Sequence, residues 1–434
     1  MRLSLLLNKL DNKVFSLQIV QLVRTAVVFG VSIFLAQFYK DTKIISQYET
    51  LLLVGTGLTF FWVSGLMTTF LPYYYNKSEE DRKSVIYNTF ISLSALSILS
   101  FFAVIALGAM FFDTINVSLF IAYGLFILFN SPSFLIEYIY LVNQKNKSII
   151  LYAIIVFSIQ LLVFCVPLFF GASLLVAVYC IAILALFKFI FLVFLVRKYG
   201  KASFDFALVK AYLSKSTPII ITLLIGGSTE YVNGFIVKSY ASDHEFALFR
   251  YGAREFPLSR ILANTLSVVL SGTVANAIAN GKLKDSLAQL KNSSKRLMHI
   301  LFPLTLVLML SSQYIYRFAF TETFEDSYKI FNIYLLLVVS RMVFPQTVLL
   351  GMQKNRQVMY ASAIEFSVNF GLGLLLISRF GIFAVPFATL SAFYVYELIL
   401  IFFVKKEGVK LKSYLPIKTW LIYSSLLWLV FLIL

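Results

Sequence analysis

Residues 173–196 read SLLVAVYCIAILALFKFIFLVFLV, a stretch of 24 residues in which Lys188 is the one charged side chain. About 20 apolar residues are enough for a helix to cross a hydrocarbon core of about 30 Å. Stretches of this kind recur about a dozen times along the chain. Lipid offers the backbone no hydrogen-bond partners, so each stretch is expected to be a helix. The sequence therefore predicts an all-α polytopic membrane protein.

The predicted transmembrane helices number 12, and a shorter apolar stretch at the end of the chain is a candidate for a 13th. Their ranges are 14–38, 49–75, 84–112, 117–142, 148–171, 173–196, 215–239, 254–279, 297–320, 327–350, 358–378 and 381–404, followed by the short stretch 420–434. The chain as a whole is 60% hydrophobic and 13% charged, whereas soluble domains are about a quarter charged. A soluble fold is therefore excluded.

Positive charge divides between the connections in a way that orients the chain. The N-terminal segment and the even-numbered connections hold 25 Lys and Arg residues, while the odd-numbered connections and their margins hold 8. Because Lys and Arg favour the cytoplasmic side, the N-terminus is predicted to be cytoplasmic. The net charge of +17 gives no reason to expect nucleic acid as a partner, since no water-facing segment is long enough to gather that charge.

An internal repeat predicts how the helices are grouped. The tetrapeptide QKNK at 144–147 follows the fourth span, and QKNR at 353–356 follows the tenth, an offset of 209 residues. At the same offset Phe157 matches Phe366 and Ser158 matches Ser367. The two turns are six spans apart, so each half is predicted to have six spans. Because six is even, both halves should enter the membrane from the same side, as two six-helix bundles related by a pseudo-twofold axis along the membrane normal.

The predicted organisation follows from this repeat. It comprises a cytoplasmic N-terminal lead-in (1–13), an N-terminal six-helix bundle (14–196), a cytoplasmic linker (197–214), a C-terminal six-helix bundle (215–404) and a basic segment with a short terminal hydrophobic helix (405–434). The lead-in has an apolar run too short for a signal peptide. The substrate is expected between the two bundles.

Polar residues inside spans are the candidates for function, because an ionisable side chain at the centre of a membrane helix costs about 2.5–3.5 kcal/mol on insertion scales. In the eighth span Arg260, Asn264, Ser267 and Ser271 recur at spacings that place them on one helical face. This face is expected to line water or polar substrate. The alternative, interhelical hydrogen bonding, explains the serines well and the arginine poorly.

Other spans carry further candidates. In the first span Gln18, Gln21 and Thr25 share a face, with Arg24 adjacent to it near mid-depth. In the seventh, Glu230 and Asn233 lie on a polar face beyond Pro218 and a Gly-Gly pair, and a packing kink is the alternative interpretation. The eleventh span contains Glu365 and the tenth Arg341, which could form an ion pair. Lys188, Glu137 and Glu397 lie nearer the cytoplasmic ends and are interpreted as structural, because long side chains there can reach the interface.

No metal or disulfide site is expected. The two cysteines, Cys165 and Cys180, both lie inside spans, and their spacing fits no metal-binding motif. No cofactor is predicted.

Two stretches resemble a known family: FALFRYGA at 246–253 and FGIFAVPFATL at 380–390. With the overall pattern from residue 14 to 404, the chain resembles the polysaccharide transport (O-antigen flippase) branch of the multidrug, oligosaccharidyl-lipid and polysaccharide exporter superfamily. Glu230 stands where such proteins often place an acidic residue. The resemblance implies two bundles around a cavity that opens alternately to each side of the bacterial cytoplasmic (inner) membrane.

The resemblance also implies a substrate and its contacts. The expected cargo is an undecaprenyl-pyrophosphate-linked oligosaccharide, such as an O-antigen or other polysaccharide repeat unit. Arg24, Arg260 and Arg341 are the candidates for its phosphates, because arginine can contact phosphate oxygens bidentately, while Gln18, Gln21, Asn233, Asn264 and Ser267 are candidates for polar contact. Glu230 and Glu365 are candidates for coupling to H⁺ or Na⁺. Membrane lipids, a polysaccharide polymerase and glycosyltransferases are the expected partners.

Other functions stay open within this pattern. A cation-coupled multidrug antiporter of the same superfamily would use the acidic residues, and lipid II flippases have a similar fold but typically carry fourteen helices. An enzyme is not expected, because a membrane glycosyltransferase or polymerase should show a large extracytoplasmic loop with acidic or histidine residues. The longest such loop spans only about residues 239–253.

Overall fold

The computed structural model describes residues 13–39, 41–112, 115–279 and 281–434, and within these ranges every regular element is a helix. The predicted lead-in, residues 1–13, lies outside them except for Lys13. The chain divides into two compact units, residues 1–227 (unit 1) and 228–434 (unit 2). The division falls inside one long helix, and the domain boundaries expected from the sequence stay a prediction.

The helices up to the division are α1 (Lys13–Phe34, continued by a π-helical turn Leu35–Tyr39), α2 (Thr42–Tyr75), α3 (Glu79–Phe111), α4 (Val117–Ser133), α5 (Leu135–Val142), α6 (Asn146–Phe169), α7 (Leu174–Tyr199) and α8 (Phe206–Tyr240), which carries the division. Those that follow are α9 (Asp243–Gly252), α10 (Pro257–Ala279), α11 (Leu283–Phe320), α12 (Ser327–Leu335), α13 (Leu337–Arg341), α14 (Pro345–Gly351), α15 (Asn355–Phe380), α16 (Ala384–Lys406), α17 (Leu411–Tyr414) and α18 (Ile417–Ile433).

The predicted class, an all-α polytopic membrane protein, is confirmed. In the described part of the chain, nine segments are long and apolar enough to cross a membrane, or ten if a pair of helices bent by 45° counts as one span. The last segment, Asn355–Lys406, contains two helices that pack against each other, α15 and α16. Helix α10, which corresponds to the predicted eighth span, has 23 residues. Helix α18 has 17 residues, slightly fewer than the roughly 20 needed for a full crossing.

Two helices begin earlier than the apolar pattern indicates. Helix α8 begins at Phe206 rather than near residue 215, and α11 begins at Leu283 rather than near residue 297. The added turns of α11 bury Leu287 and Leu290 while Lys284 and Lys295 stay exposed. An amphipathic pattern of this kind forms a helix in water as well as in lipid, so hydropathy alone does not mark its start.

The core of unit 1 is rich in aromatic side chains from α2, α5 and α8. Phe70, Tyr73 and Tyr212 are almost fully buried together. The Tyr212 hydroxyl donates to the backbone carbonyl of Leu66 at 2.6 Å, which satisfies its polar end within the apolar core, as buried tyrosines generally require. This contact joins the first turns of α8 to the rest of unit 1.

The repeat seen in the sequence has the same backbone geometry in both units. Gln144 and Gln353 both adopt left-handed φ values, 57° and 59°. In each turn the following lysine N–H donates back to the carbonyl five residues earlier, Lys145 to Tyr140 and Lys354 to Leu349, at 2.9 Å in both cases. This bond pattern ends a helix sharply, and the next helix begins at once, at Asn146 in unit 1 and Asn355 in unit 2.

The lysine side chains of the two turns have different partners. The Lys145 ammonium donates to the Tyr199 hydroxyl at 2.8 Å, and this hydrogen bond raises the pKa of Lys145. The Lys354 ammonium lies 2.9 Å from the Glu407 carboxylate, and hydrogen bonds from Lys354 and Gln357 lower the pKa of Glu407. The backbone of the turn is repeated, whereas its side-chain chemistry is not.

The tenth span, which precedes the turn of unit 2, is broken between α13 and α14 and is bent by 45° there. At the break Phe344 adopts a left-handed φ of 62° and Pro345 follows. Proline cannot donate the helical hydrogen bond, so the break has a local cause. The fourth span differs, because Phe134 between α4 and α5 keeps a helical backbone and residues 117–142 form one span.

Candidate functional site

A charged cluster lies inside unit 1, on three of its membrane helices. In α1 the Arg24 guanidinium donates to the Glu137 carboxylate of α5, with Nη2 and Oε1 2.5 Å apart. The Glu137 side chain is 7% exposed and the Arg24 side chain 30%. The pair is therefore reached through its arginine, while its carboxylate is enclosed.

Lys188 of α7 completes the cluster. It is buried, and its ammonium donates to the side-chain oxygen of Asn130 in α4 at 2.5 Å. The charges of both Arg24 and Glu137 act on it. The cluster thus has two cations and one carboxylate, and its formal charge is positive.

Aromatic rings surround these cations. The Arg24 guanidinium carbon lies 4.2 Å from the centroid of the Phe134 ring and 5.2 Å from that of Phe157. The Lys188 ammonium lies 5.5 Å from the centroid of the same Phe157 ring. Cations are attracted to ring faces at such distances, so Phe157 contributes to holding both charges.

The fourth span supplies two residues of the cluster. Asn130 and Glu137 are seven residues apart, about two turns of a helix. One face of the span therefore presents both residues, the amide that meets Lys188 and the carboxylate that meets Arg24. The remaining candidates of the first span are not part of this cluster. Gln21 and Thr25 are exposed, and the side chain of Gln18 lies outside the described part of the structure.

Unit 2 contains a neutral polar network in its interior. The Asn369 amide donates to the Asn233 carbonyl oxygen at 2.7 Å, and the Asn233 amide donates to the Thr389 hydroxyl at 2.8 Å. The Thr389 hydroxyl in turn lies 2.9 Å from the Asn369 carbonyl oxygen. The three side chains are at most 3% exposed. They close a ring of hydrogen bonds between α8, α15 and α16, which satisfies polar groups that would be costly to bury alone.

One carboxylate lies a helical turn from this ring. Glu365 is 6% exposed, and Thr229 lies next to it, with 3.4 Å between the hydroxyl and a carboxylate oxygen. Glu230, the neighbour of Thr229 in the sequence, is exposed instead. The two acidic candidates of unit 2 therefore have different environments, and Glu365 is the enclosed one.

Arg341 is paired with Glu255 and not with Glu365, which corrects the pairing suggested by the sequence. One guanidinium nitrogen, Nη2, donates to the Glu255 carboxylate at 2.6 Å, and Nε meets its other oxygen. The sequence interpretation included residue 255 in the eighth span, but α10 begins only at Pro257. Glu255 lies in the irregular segment before the helix, where its side chain is free to reach Arg341.

A further carboxylate, half-buried, lies near this pair. The Arg341 charge acts on Glu397 of α16, and one oxygen of Glu397 has no hydrogen-bond partner among the described residues. Glu255 and Glu397 thus lie near the same cation, Arg341.

The polar stripe of the eighth span is divided between two environments. Arg260 and Asn264 are exposed, as expected for a face that meets water or substrate. Ser267 lies 2.7 Å from the hydroxyl of the fully buried Thr347 in α14, which is an interhelical contact. The stripe therefore combines the two interpretations that its spacing left open.

Sequence reasoning missed how Lys188, Glu137 and Asn130 combine with Arg24. Each was one polar residue in an apolar span, and their depth had to be judged from uncertain helix ends. The available signal was that four charged residues, Arg24, Glu49, Glu137 and Lys188, lie in the predicted spans of one half. The described residues contain no group of three or more His, Cys, Asp or Glu side chains that could hold a metal ion.

Comparison with known proteins places the fold. No protein-family model matches the chain, and no curated protein matches it. The structure of the lipid II flippase MurJ in an inward closed conformation has a TM-score of 0.68 at 18% identity, covering 97% of this chain and 92% of that one. An inward-facing multidrug resistance MATE family transporter of the MOP superfamily has a TM-score of 0.69 at 11% identity, covering 93% and 99%.

A MATE transporter from Vibrio cholerae, VcmN, is also similar, with a TM-score of 0.58 at 13% identity over 94% of this chain and 98% of that one. At these identities the likeness is one of fold. The chain is a multi-pass membrane protein with the fold of the MOP transporters.

Proposed function

We propose that the chain is a flippase that moves an undecaprenyl-pyrophosphate-linked oligosaccharide, such as an O-antigen or other polysaccharide repeat unit, from the cytoplasmic to the periplasmic leaflet by alternating access. The observation that carries this proposal is the positive cluster of Arg24, Lys188 and Glu137 inside unit 1. Charges inside membrane helices are costly and generally mark a substrate or ion pathway. Two cations with one carboxylate fit an anionic substrate.

Arginine favours a phosphate ligand in particular. A guanidinium presents parallel N–H donors that match two oxygens of a phosphate or carboxylate. Arg24 is the exposed member of the cluster, with its side chain 30% exposed, so it is the group that a ligand meets first. Gln21 and Thr25 are exposed on the same helix and would offer hydrogen bonds to sugar hydroxyls.

The coupling site in this proposal belongs to unit 2. Glu365 is enclosed and lies near the Thr229 hydroxyl and the ring formed by Asn233, Asn369 and Thr389. A carboxylate surrounded by neutral oxygen atoms can take up H⁺ or Na⁺. Glu230 is exposed and would serve at most as an entrance for the ion. Arg341 is neutralised by Glu255, so it ranks below Arg24 as a phosphate contact.

The proposal places the chain in the cytoplasmic membrane of a bacterium, with a cytoplasmic N-terminus. Glycosyltransferases would assemble its substrate on the cytoplasmic face, and a polysaccharide polymerase would use the product on the other face.

Two other functions use the same fold. A lipid II flippase is supported by the similarity to MurJ. A cation-coupled multidrug antiporter is favoured by the buried carboxylate Glu365 and the half-buried carboxylate Glu397, and by the similarity to MATE transporters. The charge of the substrate distinguishes the flippases from the antiporter, because an antiporter for cationic drugs gains nothing from the positive cluster of unit 1.

The experiment measures lipid-linked glycan on each face of the membrane in a strain deleted for the protein and complemented with variants. Wild type should restore export, and a variant with Arg24→Ala and Arg260→Ala should leave the glycan on the cytoplasmic face. Arg317→Ala is the matched control, because Arg317 forms an exposed ion pair with Glu322 and such pairs contribute little. A deletion strain with a normal glycan distribution would contradict the proposal and favour the antiporter.

A further inference from the structure

Glu137 already pairs with the Arg24 guanidinium, which is the group that a phosphate would bind. Its carboxylate oxygen lies 2.5 Å from a guanidinium nitrogen of Arg24, so the two groups form a charge-assisted hydrogen bond. Carboxylates and phosphates compete for the same donors on arginine. A ligand that binds Arg24 through a phosphate must therefore share the guanidinium with Glu137 or displace it.

A second cation lies where a displaced carboxylate could go. Lys188 is buried, the Glu137 charge acts on it, and its only direct hydrogen bond given by the structure is to the neutral Asn130 amide oxygen. Both Lys188 and Arg24 lie on the same ring, Phe157, at 5.5 and 5.2 Å from its centroid. Glu137 is thus the single carboxylate between two cations that share one aromatic neighbour.

From this arrangement we infer that Glu137 is an exchangeable counter-ion that determines which ligands Arg24 accepts. In the ligand-free chain it pairs with Arg24. When a diphosphate docks on Arg24, Glu137 turns to Lys188, which keeps its charge neutralised inside the bundle. A ligand with less negative charge than a diphosphate does not displace it. This inference rests on the proposed function, because it takes Arg24 as the group that meets the phosphates.

The role of Lys188 follows from the same arrangement. It is a positioning residue, since it acts on the ligand only through Glu137. Without Lys188 the carboxylate would have no second cation and would hold Arg24 more firmly. In a chain that lacks both Glu137 and Lys188, the Arg24 guanidinium would be available to the ligand.

The test measures binding of inorganic pyrophosphate to the purified full-length chain in lipid nanodiscs, by titration calorimetry at constant ionic strength. If Glu137 occupies Arg24 for nine-tenths of the time, Glu137→Gln should bind about tenfold more tightly than wild type. Lys188→Met should bind more weakly than wild type. The double variant Glu137→Gln with Lys188→Met should match Glu137→Gln within about twofold, because coupled residues are not additive.

The controls separate this effect from general charge and from folding. Glu322→Gln removes an exposed carboxylate of unit 2 and should leave the affinity unchanged. Inorganic phosphate should gain at least as much as pyrophosphate from Glu137→Gln, because the variant lacks the counter-ion that the less charged ligand does not displace. The double variant removes one charge of each sign and so keeps the balance of the cluster, which makes it the informative variant if Glu137→Gln does not fold.

The outcomes distinguish this inference from the proposed function. Equal affinities of wild type and Glu137→Gln, with loss of binding in Arg24→Ala, would overturn the counter-ion and leave the phosphate site in place. A double variant that binds more weakly than Glu137→Gln by about tenfold would show that Lys188 is a direct ligand and overturn its positioning role. If neither wild type nor any variant binds pyrophosphate, the inference is wrong, and the glycan distribution in the deletion strain decides the proposed function by itself.

Discussion

The two units have the same turn at the end of their fourth helical span but differ in the charged clusters of their interiors. In unit 1 Arg24 and Lys188 surround one carboxylate, Glu137, while a further buried carboxylate, Glu49, accepts a hydrogen bond from Ser32. In unit 2 Glu365 and Glu397 lie near one cation, Arg341, which is paired with Glu255. We propose that the cluster of unit 1 suits an anion and the carboxylates of unit 2 suit a cation.

The repeat offset of 209 residues allows the side chains of the two units to be compared at equivalent positions. In α6 and α15, which begin at equivalent residues, Val156 of unit 1 matches Glu365 of unit 2, and Gln160 matches Asn369. At the same offset Lys188 falls on Glu397. The backbone of the turn is the same in both units because it ends one helix and starts the next, whereas the side chains at these equivalent positions differ between the units.

The largest expected effect comes from removing Arg24, the partly buried cation of unit 1 that pairs with Glu137. Arg24→Ala leaves Glu137 buried without its partner, and breaking a buried ion pair from one side costs about 3–5 kcal/mol. Unfolding monitored by tryptophan fluorescence in detergent should show this loss. Adding Glu137→Gln should recover most of the stability, since it removes the unpaired charge. Recovery of export in that double variant would contradict the role of Arg24 as the phosphate contact.

The next effect compares the two units at equivalent positions. Asn369→Ala opens the hydrogen-bond ring of unit 2 and leaves buried partners on Asn233 and Thr389 unsatisfied, at a cost of about 1–3 kcal/mol in the free energy of unfolding. Gln160→Ala, at the matching position of unit 1, should change it by less than about 0.5 kcal/mol, because Gln160 is only half-buried. Equal losses at the two positions would show that the ring is not specific to unit 2.

A smaller effect is expected where the final helix contacts the broken tenth span. The Trp420 indole donates to the Val339 carbonyl at 2.9 Å. That carbonyl is left over by the break, because the Val343 N–H donates to Ser340 instead. Trp420→Phe should lower the free energy of unfolding by about 0.5–1.5 kcal/mol, and Lys418→Ala, on the same helix and exposed, should not. An unchanged stability in Trp420→Phe would mean that α18 does not support the break.

The smallest effect is a difference in pH dependence between the two repeated turns. The pKa of Glu407 is lower in the folded chain, so its contact with Lys354 stabilises the turn above the unfolded-state pKa and is lost as the pH falls through the folded-state pKa. The pKa of Lys145 is raised, so its contact is present below the unfolded-state pKa and is lost as the pH rises through the folded-state pKa.

Hydrogen exchange of the two turns, corrected for the intrinsic effect of pH, measures this difference. Residues 353–357 should lose protection in acid and residues 144–148 in alkali. Glu407→Gln should abolish the acid response of the unit 2 turn alone. The same response in both turns would mean that their side-chain partners do not matter.

The fold could largely be predicted from the sequence, since apolar length fixes the spans and the QKNK and QKNR turns mark the repeat. Arg24 could be singled out as an unusual charge in an apolar helix. Its pairing with Glu137 could not, because the two residues are 113 positions apart and partners at such distances depend on how the helices pack. The Glu255 partner of Arg341 escaped prediction for another reason. The predicted eighth span begins at residue 254, whereas α10 begins at Pro257, three residues later, and this leaves Glu255 outside the helix.

Reconstituted transport tests the division of tasks between the two units directly. Liposomes containing the purified chain and a fluorescent undecaprenyl-pyrophosphate-linked glycan would be given H⁺ or Na⁺ gradients of either direction. Wild type should move the glycan, Arg24→Gln should not bind it, and Glu365→Gln should bind it but no longer respond to the gradient. A wild-type chain that moves no lipid-linked glycan under any of these gradients would contradict the flippase.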